Sequence, residues 1–306
     1  MAGAITDVEG LEVGHAHDSE ARTGCTVVLP PPGAMGGICV RGGAPATREL
    51  HLLRIDGITR ELHGVLLTGG SAFGLDAAGG VLSWLEERGI GFDAGVARVP
   101  LVPTISLFDL AVGRADVRPD AAMARRACEA ASGGPVAEGP VGVGAGATVG
   151  KILGINLCSP TGVGTASASV GGVTVGVLAV SNAFGDLVDD KGEIIAGAKD
   201  TKDPGRFIDT AAYLREHGMP AGDPFSNCTF AVVAASARLS RQDANRLAEM
   251  AMAGINRTVR PPHTLFDFDV VIALACGEDQ PDLPALGVAA ADVVAEALIR
   301  GARAAG

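Results

Sequence analysis

Short apolar runs bounded by glycine recur along the chain, and they constrain its fold more than any other feature. Val27 to Leu29, Gly36 to Val40 and Gly64 to Thr68 come first; Val173 to Val180, Cys228 to Ala235 and Val270 to Cys276 are longer. Runs of this kind read as buried strands. Between them lie stretches with helical spacing. Ala72 to Leu85 offers Phe73, Leu75, Val81, Leu82 and Leu85 for an inner face, and Asp120 to Ala131 is Ala-rich. Ser240 opens a third helix to about Ile255, with Asp243 three residues on as an acidic capping box. A last helix covers roughly Leu286 to Ala304. Strands grouped together and then helices predict a layered α+β domain rather than a strictly alternating α/β one. The 44 glycines, beside one Trp and one Tyr, fit tight layering with constrained turns.

Composition narrows the partners. Hydrophobic residues make up 47% of the 306 positions and charged residues 19%, enough apolar matter for a sizeable core. A net charge of −11, with no basic run longer than Arg125-Arg126, argues against nucleic acid, because phosphate neutralisation needs clustered Lys and Arg. The start lacks a basic segment followed by a long apolar one, and no apolar stretch reaches membrane-spanning length, so neither a signal peptide nor a membrane partner is expected. The six cysteines are scattered without a CxxC pair or zinc spacing, the pattern of reduced thiols in a cytoplasmic protein. His15 and His17 lack a third ligand and read as structural; no metal is implied.

The glycines also invite phosphate-binding readings. A P-loop needs glycine five residues before its Gly-Lys pair and Ser or Thr after it; around Gly150-Lys151 those positions are Ala145 and Ile152, so the motif fails. The informative junction is Ser226-Asn227-Cys228. The preceding segment, Asp186 to Ser226, is the most polar in the chain and reads as a long exposed excursion, and an apolar strand resumes abruptly at Cys228. A cysteine freed there as a new N-terminus would combine a thiol nucleophile with its own α-amine as base, whose unperturbed pKa is about 8. By local sequence alone, a buried strand cysteine is the simpler reading.

Several dispersed motifs change that balance. They are Val13-Gly-His-Ala with Thr23-Gly-Cys-Thr-Val-Val, Thr68-Gly-Gly-Ser-Ala-Phe-Gly-Leu-Asp-Ala-Ala, Gly144-Ala-Gly-Ala-Thr-Val-Gly-Lys, Gly164-Thr-Ala-Ser, Val180-Ser-Asn-Ala-Phe-Gly-Asp, Asn227-Cys-Thr and His263-Thr-Leu-Phe-Asp-Phe-Asp. In this order and spacing the chain resembles the DmpA-like family of L-aminopeptidases/D-esterases, which includes β-peptidyl aminopeptidases and nylon-oligomer hydrolases. The resemblance implies one domain over residues 1–306, folded as a four-layer α/β/β/α sandwich of the DmpA/ornithine-acetyltransferase type. It implies self-cleavage between Asn227 and Cys228 into chains 1–227 and 228–306, followed by hydrolysis of peptides, amino-acid amides or esters. It further implies a homo-oligomer, often a tetramer of processed pairs, and no cofactor.

Site residues follow from the same resemblance. Cys228 stands where the family has Thr or Ser, Lys151 matches a lysine near the nucleophile, and Asn182 matches a donor to the developing oxyanion. Asp267 and Asp269 match positions that orient the nucleophile and its amine; two apart at a strand start, they would share one face. Thr68, Gly69, Gly70 and Ser71 are expected to line the pocket with Phe108, which replaces a tyrosine of some members and cannot donate a hydrogen bond. Read locally, Lys151 is better taken as a strand-edge lysine facing water, while Asn182 could equally be a turn residue bonding its own backbone, and Asp267 and Asp269 solvated residues at a strand start. An acyltransferase with the same acyl-enzyme and an unprocessed, non-catalytic homologue remain as alternatives at this level.

Overall fold

The computed structural model describes residues 3–203, 205–220 and 227–306. Ten strands form its frame: β1 (Glu12–Asp18), β2 (Thr23–Leu29), β3 (Met35–Gly42), β4 (Thr47–Arg48), β5 (Val65–Thr68), β6 (Thr104–Ser106), β7 (Val163–Val170), β8 (Val173–Asn182), β9 (Cys228–Ala237) and β10 (Phe268–Asp279). Four helices cover them: α1 (Ala78–Glu86), α2 (Ala121–Glu129), α3 (Arg241–Thr258) and α4 (Leu283–Arg303). One sheet runs β1-β2-β5-β6-β4 and the other β7-β8-β9-β10-β3. Neighbours are antiparallel except β5 with β6 and β9 with β10.

Strand alternation explains why these runs are apolar throughout. In β9, Phe230, Val232 and Ala234 pack between the sheets against Val65, Leu67 and Ile105, while Ala231, Val233 and Ala235 pack beneath Leu247, Ala251 and Val294 of α3 and α4. The outer face of the first sheet buries Cys25, Val27 and Leu66 against Val81, Leu85, Ala124 and Ala127 of α1 and α2. The result is the four-layer α/β/β/α sandwich that the sequence resemblance implied. A strand buried on both faces has no polar side to show, so it appears as an unbroken apolar run.

Glycine sets the spacing of the fourth layer. A Cβ on Gly164 of β7 would lie 1.9 Å from the Ala297 carbonyl oxygen, and one on Gly301 of α4 would lie 2.4 Å from the Gly162 oxygen. Helix and strand touch backbone to backbone there.

Two expectations need correction. The segment from Asp186 is exposed only in part over its described residues, and it is ordered. It forms strands Asp186–Val188, Ile194–Ala196, Ala198–Lys199 and Phe207–Ile208, then helix Thr210–His217, capped by Asp209. One acid turns inward: buried Asp186 accepts hydrogen bonds from the Ala198 N–H (3.2 Å), the Thr210 N–H (2.7 Å) and the Thr210 hydroxyl (2.8 Å), while Asp190, Lys191, Glu193, Lys202 and Asp203 stay exposed in the turns between these elements. The final approach to the junction, including Ser226, lies outside the described residues. Phe73, expected on an inner face, is exposed and stacks under the Arg118 guanidinium at 3.7 Å. Gly74 carries the close approach instead, and a 3-10 turn at Leu75–Ala77 rotates the chain before α1. Among the described residues no helix is long and apolar enough to cross a membrane.

Candidate active site

Cys228 opens β9, the middle strand of the second sheet, and is buried on the face between the sheets with Phe230. Asn182, the last residue of β8, lies opposite it in register. On the other side, Asn227 is bridged to Asp267 just before β10 begins. The Asn227 N–H donates to the Phe266 carbonyl (2.8 Å), and the Asn227 carbonyl accepts from the Phe268 N–H (2.8 Å). The Asn227–Cys228 peptide is therefore clamped between two strand ends, with its carbonyl polarised by an N–H.

Asn182 is neither a turn residue nor bonded to its own backbone. Its side-chain oxygen accepts from the Thr148 N–H (3.0 Å) and hydroxyl (3.4 Å), and its amide nitrogen donates to the Phe108 carbonyl (3.0 Å). These contacts fix which end of the amide is which. The amide stands beside the Cys228 thiol, across the strand pair, and favours its ionised form.

Lys151 does not face water: it is buried, and its ammonium donates to the Asn182 carbonyl at 2.7 Å. Burial lowers its pKa to about 8, against the opposing pull of Cys228, Cys158 and Asp267. Burial also pushes the Cys228 thiol well above its ordinary value; Lys151 counteracts this, the charges of Asp269 and Asp267 reinforce it, and Asn182 counteracts it slightly. With the chain intact, the thiol keeps its proton at neutral pH.

Both aspartates are fully buried at the start of β10. Asp267 Oδ1 accepts from the Phe184 N–H (3.1 Å), and Oδ2 accepts from the Thr264 N–H (3.0 Å) and hydroxyl. Burial, then the Asp269 charge, raises its pKa to about 6. Asp269 Oδ2 accepts from the His263 N–H (3.2 Å) and pairs with the ring Nδ1 (2.7 Å). Its Oδ1 is buried and finds no donor among the described residues. Asp269 alternates with Phe268 and Val270, which join Cys228 between the sheets, so it sits on the helix-facing side with Val271. Its charge thus reaches Cys228 from the opposite face of the sheet.

His263 carried no role in the sequence reading, although it opens the motif that ends at Asp269. It adopts the left-handed conformation (φ 52°), and its ring spans from Asp269 to the Asn256 side-chain oxygen on α3 (2.5 Å). A turn-to-helix bridge of this kind has no periodicity from which sequence could detect it.

The Thr68–Ser71 turn reaches this group indirectly. Thr68, Gly69 and Gly70 are buried, while Ser71 and Phe108 retain some surface. The Ser71 N–H donates to the Leu107 carbonyl, and the Leu107 N–H to the Thr68 carbonyl, both at 2.9 Å. Phe108 follows Leu107 and meets Asn182 through its carbonyl. His15 and His17 bond Thr26 and the Gly142 N–H respectively, and no group of three or more potential metal ligands occurs among the described residues.

Solved structures define the class. A Burkholderia sp. beta-aminopeptidase matches with a TM-score of 0.74 and 25% identity, over 100% of this chain and 88% of that one. The L-aminopeptidase D-Ala-esterase/amidase of Ochrobactrum anthropi, described as a variant of the Ntn hydrolase fold, matches with a TM-score of 0.72 and 23% identity, over 99% and 86%. The sandwich therefore shares the fold described there as a variant of the Ntn hydrolase fold.

The model of peptidase family S58 matches residues 3–306, and the chain belongs to that family. An uncharacterized aminopeptidase of Mycobacterium tuberculosis is 43% identical over 97% of this chain and 93% of its own length. A 6-aminohexanoate-oligomer endohydrolase of Kocuria sp. is 30% identical over 97% and 85%. The protein is accordingly a hydrolase of the aminopeptidase kind, acting on amide bonds.

Proposed function

We propose that the chain is one domain that cuts itself between Asn227 and Cys228, and that the freed Cys228 is the nucleophile of the mature aminopeptidase. The observation carrying this reading is the assembly around one buried thiol of an oriented amide, Asn182, and a buried lysine, Lys151, with the buried carboxylates Asp267 and Asp269 acting on it by charge from the start of the neighbouring strand. Perturbed groups assembled around a potential nucleophile mark functional sites more often than packing requires.

In the first reaction Lys151, as free amine, takes the thiol proton. The sulfur attacks the Asn227 carbonyl carbon while the Phe268 N–H, 2.8 Å from the carbonyl oxygen, stabilises the charge that develops there. The C–N bond breaks, the Cys228 nitrogen leaves as an amine with the transferred proton, and water hydrolyses the thioester to return the thiol. Residues 1–227 and 228–306 result. In the second reaction the α-amine of Cys228, with an ordinary pKa of about 8, serves as base. The sulfur attacks the substrate carbonyl, Asn182 donates to the oxyanion, the amine product leaves with the proton, and water resolves the acyl-enzyme. Asp267 and Asp269 hold the charge balance of the ammonium groups. Cysteine keeps this chemistry available, since a thiolate is a stronger nucleophile than a neutral hydroxyl.

The relatives' activities support small peptides, amino-acid amides and short amide oligomers as substrates, with Thr68 to Ser71 and Phe108 lining their approach. We further place the enzyme in the cytoplasm, whose reducing poise keeps a catalytic thiol free, as a homo-oligomer, a tetramer of processed pairs. The test is hydrolysis of a panel of amino-acid p-nitroanilides and 6-aminohexanoate oligomers by the wild type and by Cys228→Ala. Turnover confined to the wild type supports the assignment, and equal turnover in both overturns it.

A further inference from the structure

Beneath the Thr68–Ser71 turn lies an acid that the reaction above does not use. Asp109 is 3% exposed, and each of its oxygens is held: Oδ1 by the Gly70 N–H (2.8 Å) and Oδ2 by the Thr23 hydroxyl (2.6 Å). The space is cut to fit it, because a Cβ on Gly69 would lie 2.0 Å from Oδ2 and one on Gly146 would lie 2.6 Å from the Asp109 Cβ. Burial pushes its carboxyl upward in pKa, with Thr23 and Gly70 opposing. The residue immediately before it is Phe108, whose carbonyl receives the Asn182 amide at 3.0 Å. The segment is braced on its other side by the Ser71 N–H on the Leu107 carbonyl and by the Ser106 hydroxyl on the Gly69 carbonyl (3.0 Å).

We infer that Asp109 is a positioning residue: by locking the Leu107–Asp109 segment to β2 and to the Gly69–Gly70 turn, it sets the Phe108 carbonyl that aims the Asn182 amide at Cys228. The inference rests on the role given to Asn182 above and deepens it. It also accounts for the tolerance of phenylalanine at 108, since that residue acts here through its main chain. A buried carboxylate whose only purpose was to hold a turn would stabilise the fold without any particular dependence on Asn182. One that acts through Asn182 must lose its influence once that amide is gone.

The experiment is a double-mutant cycle on the self-processed enzyme, reading kcat and KM on an amino-acid p-nitroanilide. Asp109→Ala should lower kcat about 10- to 100-fold with KM within about threefold, the scale set by misplacing a group that contacts the reacting atoms. In an Asn182→Ala background the same substitution should cost less than about threefold more. Asp109→Asn, nearly isosteric and still able to accept from Gly70, should recover to within about fivefold of wild type. An undiminished Asp109→Ala effect in the Asn182→Ala background overturns the inference, as does wild-type kcat in Asp109→Ala. Should Asp109→Ala not fold, Thr23→Val removes one of the two braces and carries the same cycle. Cys228→Ala is the separate control. Turnover persisting there overturns the nucleophile assignment, while the cycle still reads the coupling of Asp109 to Asn182.

Discussion

Asn182 and Lys151 show how a side chain's meaning depends on what the fold places beside it. In sequence, an asparagine before Ala-Phe-Gly could be a turn residue and a lysine after Gly150 could face water. The structure buries both, ties one to the other through a 2.7 Å bond, and sets them against Cys228. Asn182→Ala should therefore cost about 100-fold in kcat, near 3 kcal/mol of transition-state stabilisation, and should also lower the melting temperature, because the buried Thr148 N–H and Phe108 carbonyl lose their partner. Stopped kinetics on the processed enzyme would check this; a loss confined to KM would contradict the oxyanion role. Lys151 makes a pH prediction with a definite sign. Its pKa is lowered to about 8, so it is an ammonium below that value and a free amine above. If the amine takes the thiol proton, self-cleavage of freshly refolded precursor should accelerate from pH 6 up through about 8 and then level off. Lys151→Gln should be slow throughout and lack the inflection. A rate that falls across the same range would show that the ammonium, not the amine, is the working form.

At the scale of elements, legibility followed the number of buried faces. Strands β8, β9 and β10 are apolar on both sides because sheet packs on one face and helix on the other, so their sequence runs were unmistakable. Helix α3 was legible from its cap, with Ser240 accepting from the Asp243 N–H as the capping box requires. The segment from Asp186 hides its order because its exposed charges crowd the turns, while the one acid that organises it, Asp186, points inward onto the Ala198 and Thr210 N–H groups. Phe73 was misread because a 3-10 turn shifts the helical phase that its spacing assumed. His263 escaped notice because its partners, Asp269 and Asn256, belong to two different elements. Glycine at the α4–β7 contact gives a test at this scale. Gly164→Ala forces a methyl against the Ala297 carbonyl and should destabilise the protein by about 2 kcal/mol or more, measured by chemical denaturation. An unchanged midpoint would mean that the helix is not seated as closely as the structure shows.

For the whole molecule, the position of Cys228 at the start of a central strand decides what self-cleavage can do. Residues 228–306 supply β9, β10, α3 and α4, and β9 is paired on both sides, to β8 and to β10. A cut before Cys228 frees a chain end without unpairing any strand of the second sheet. The two pieces should co-elute in native size exclusion and separate only in denaturant, since the layers they share form one continuous core; elution of a free small fragment would contradict this. The intact mass of freshly purified protein under denaturing conditions, beside Cys228→Ala, tests the central claim most directly. The account predicts two masses in the wild type that correspond to residues 1–227 and 228–306, and one full-length mass in the variant. A single full-length species in both, persisting through incubation at pH 8, would contradict self-processing and remove the basis for an N-terminal cysteine nucleophile.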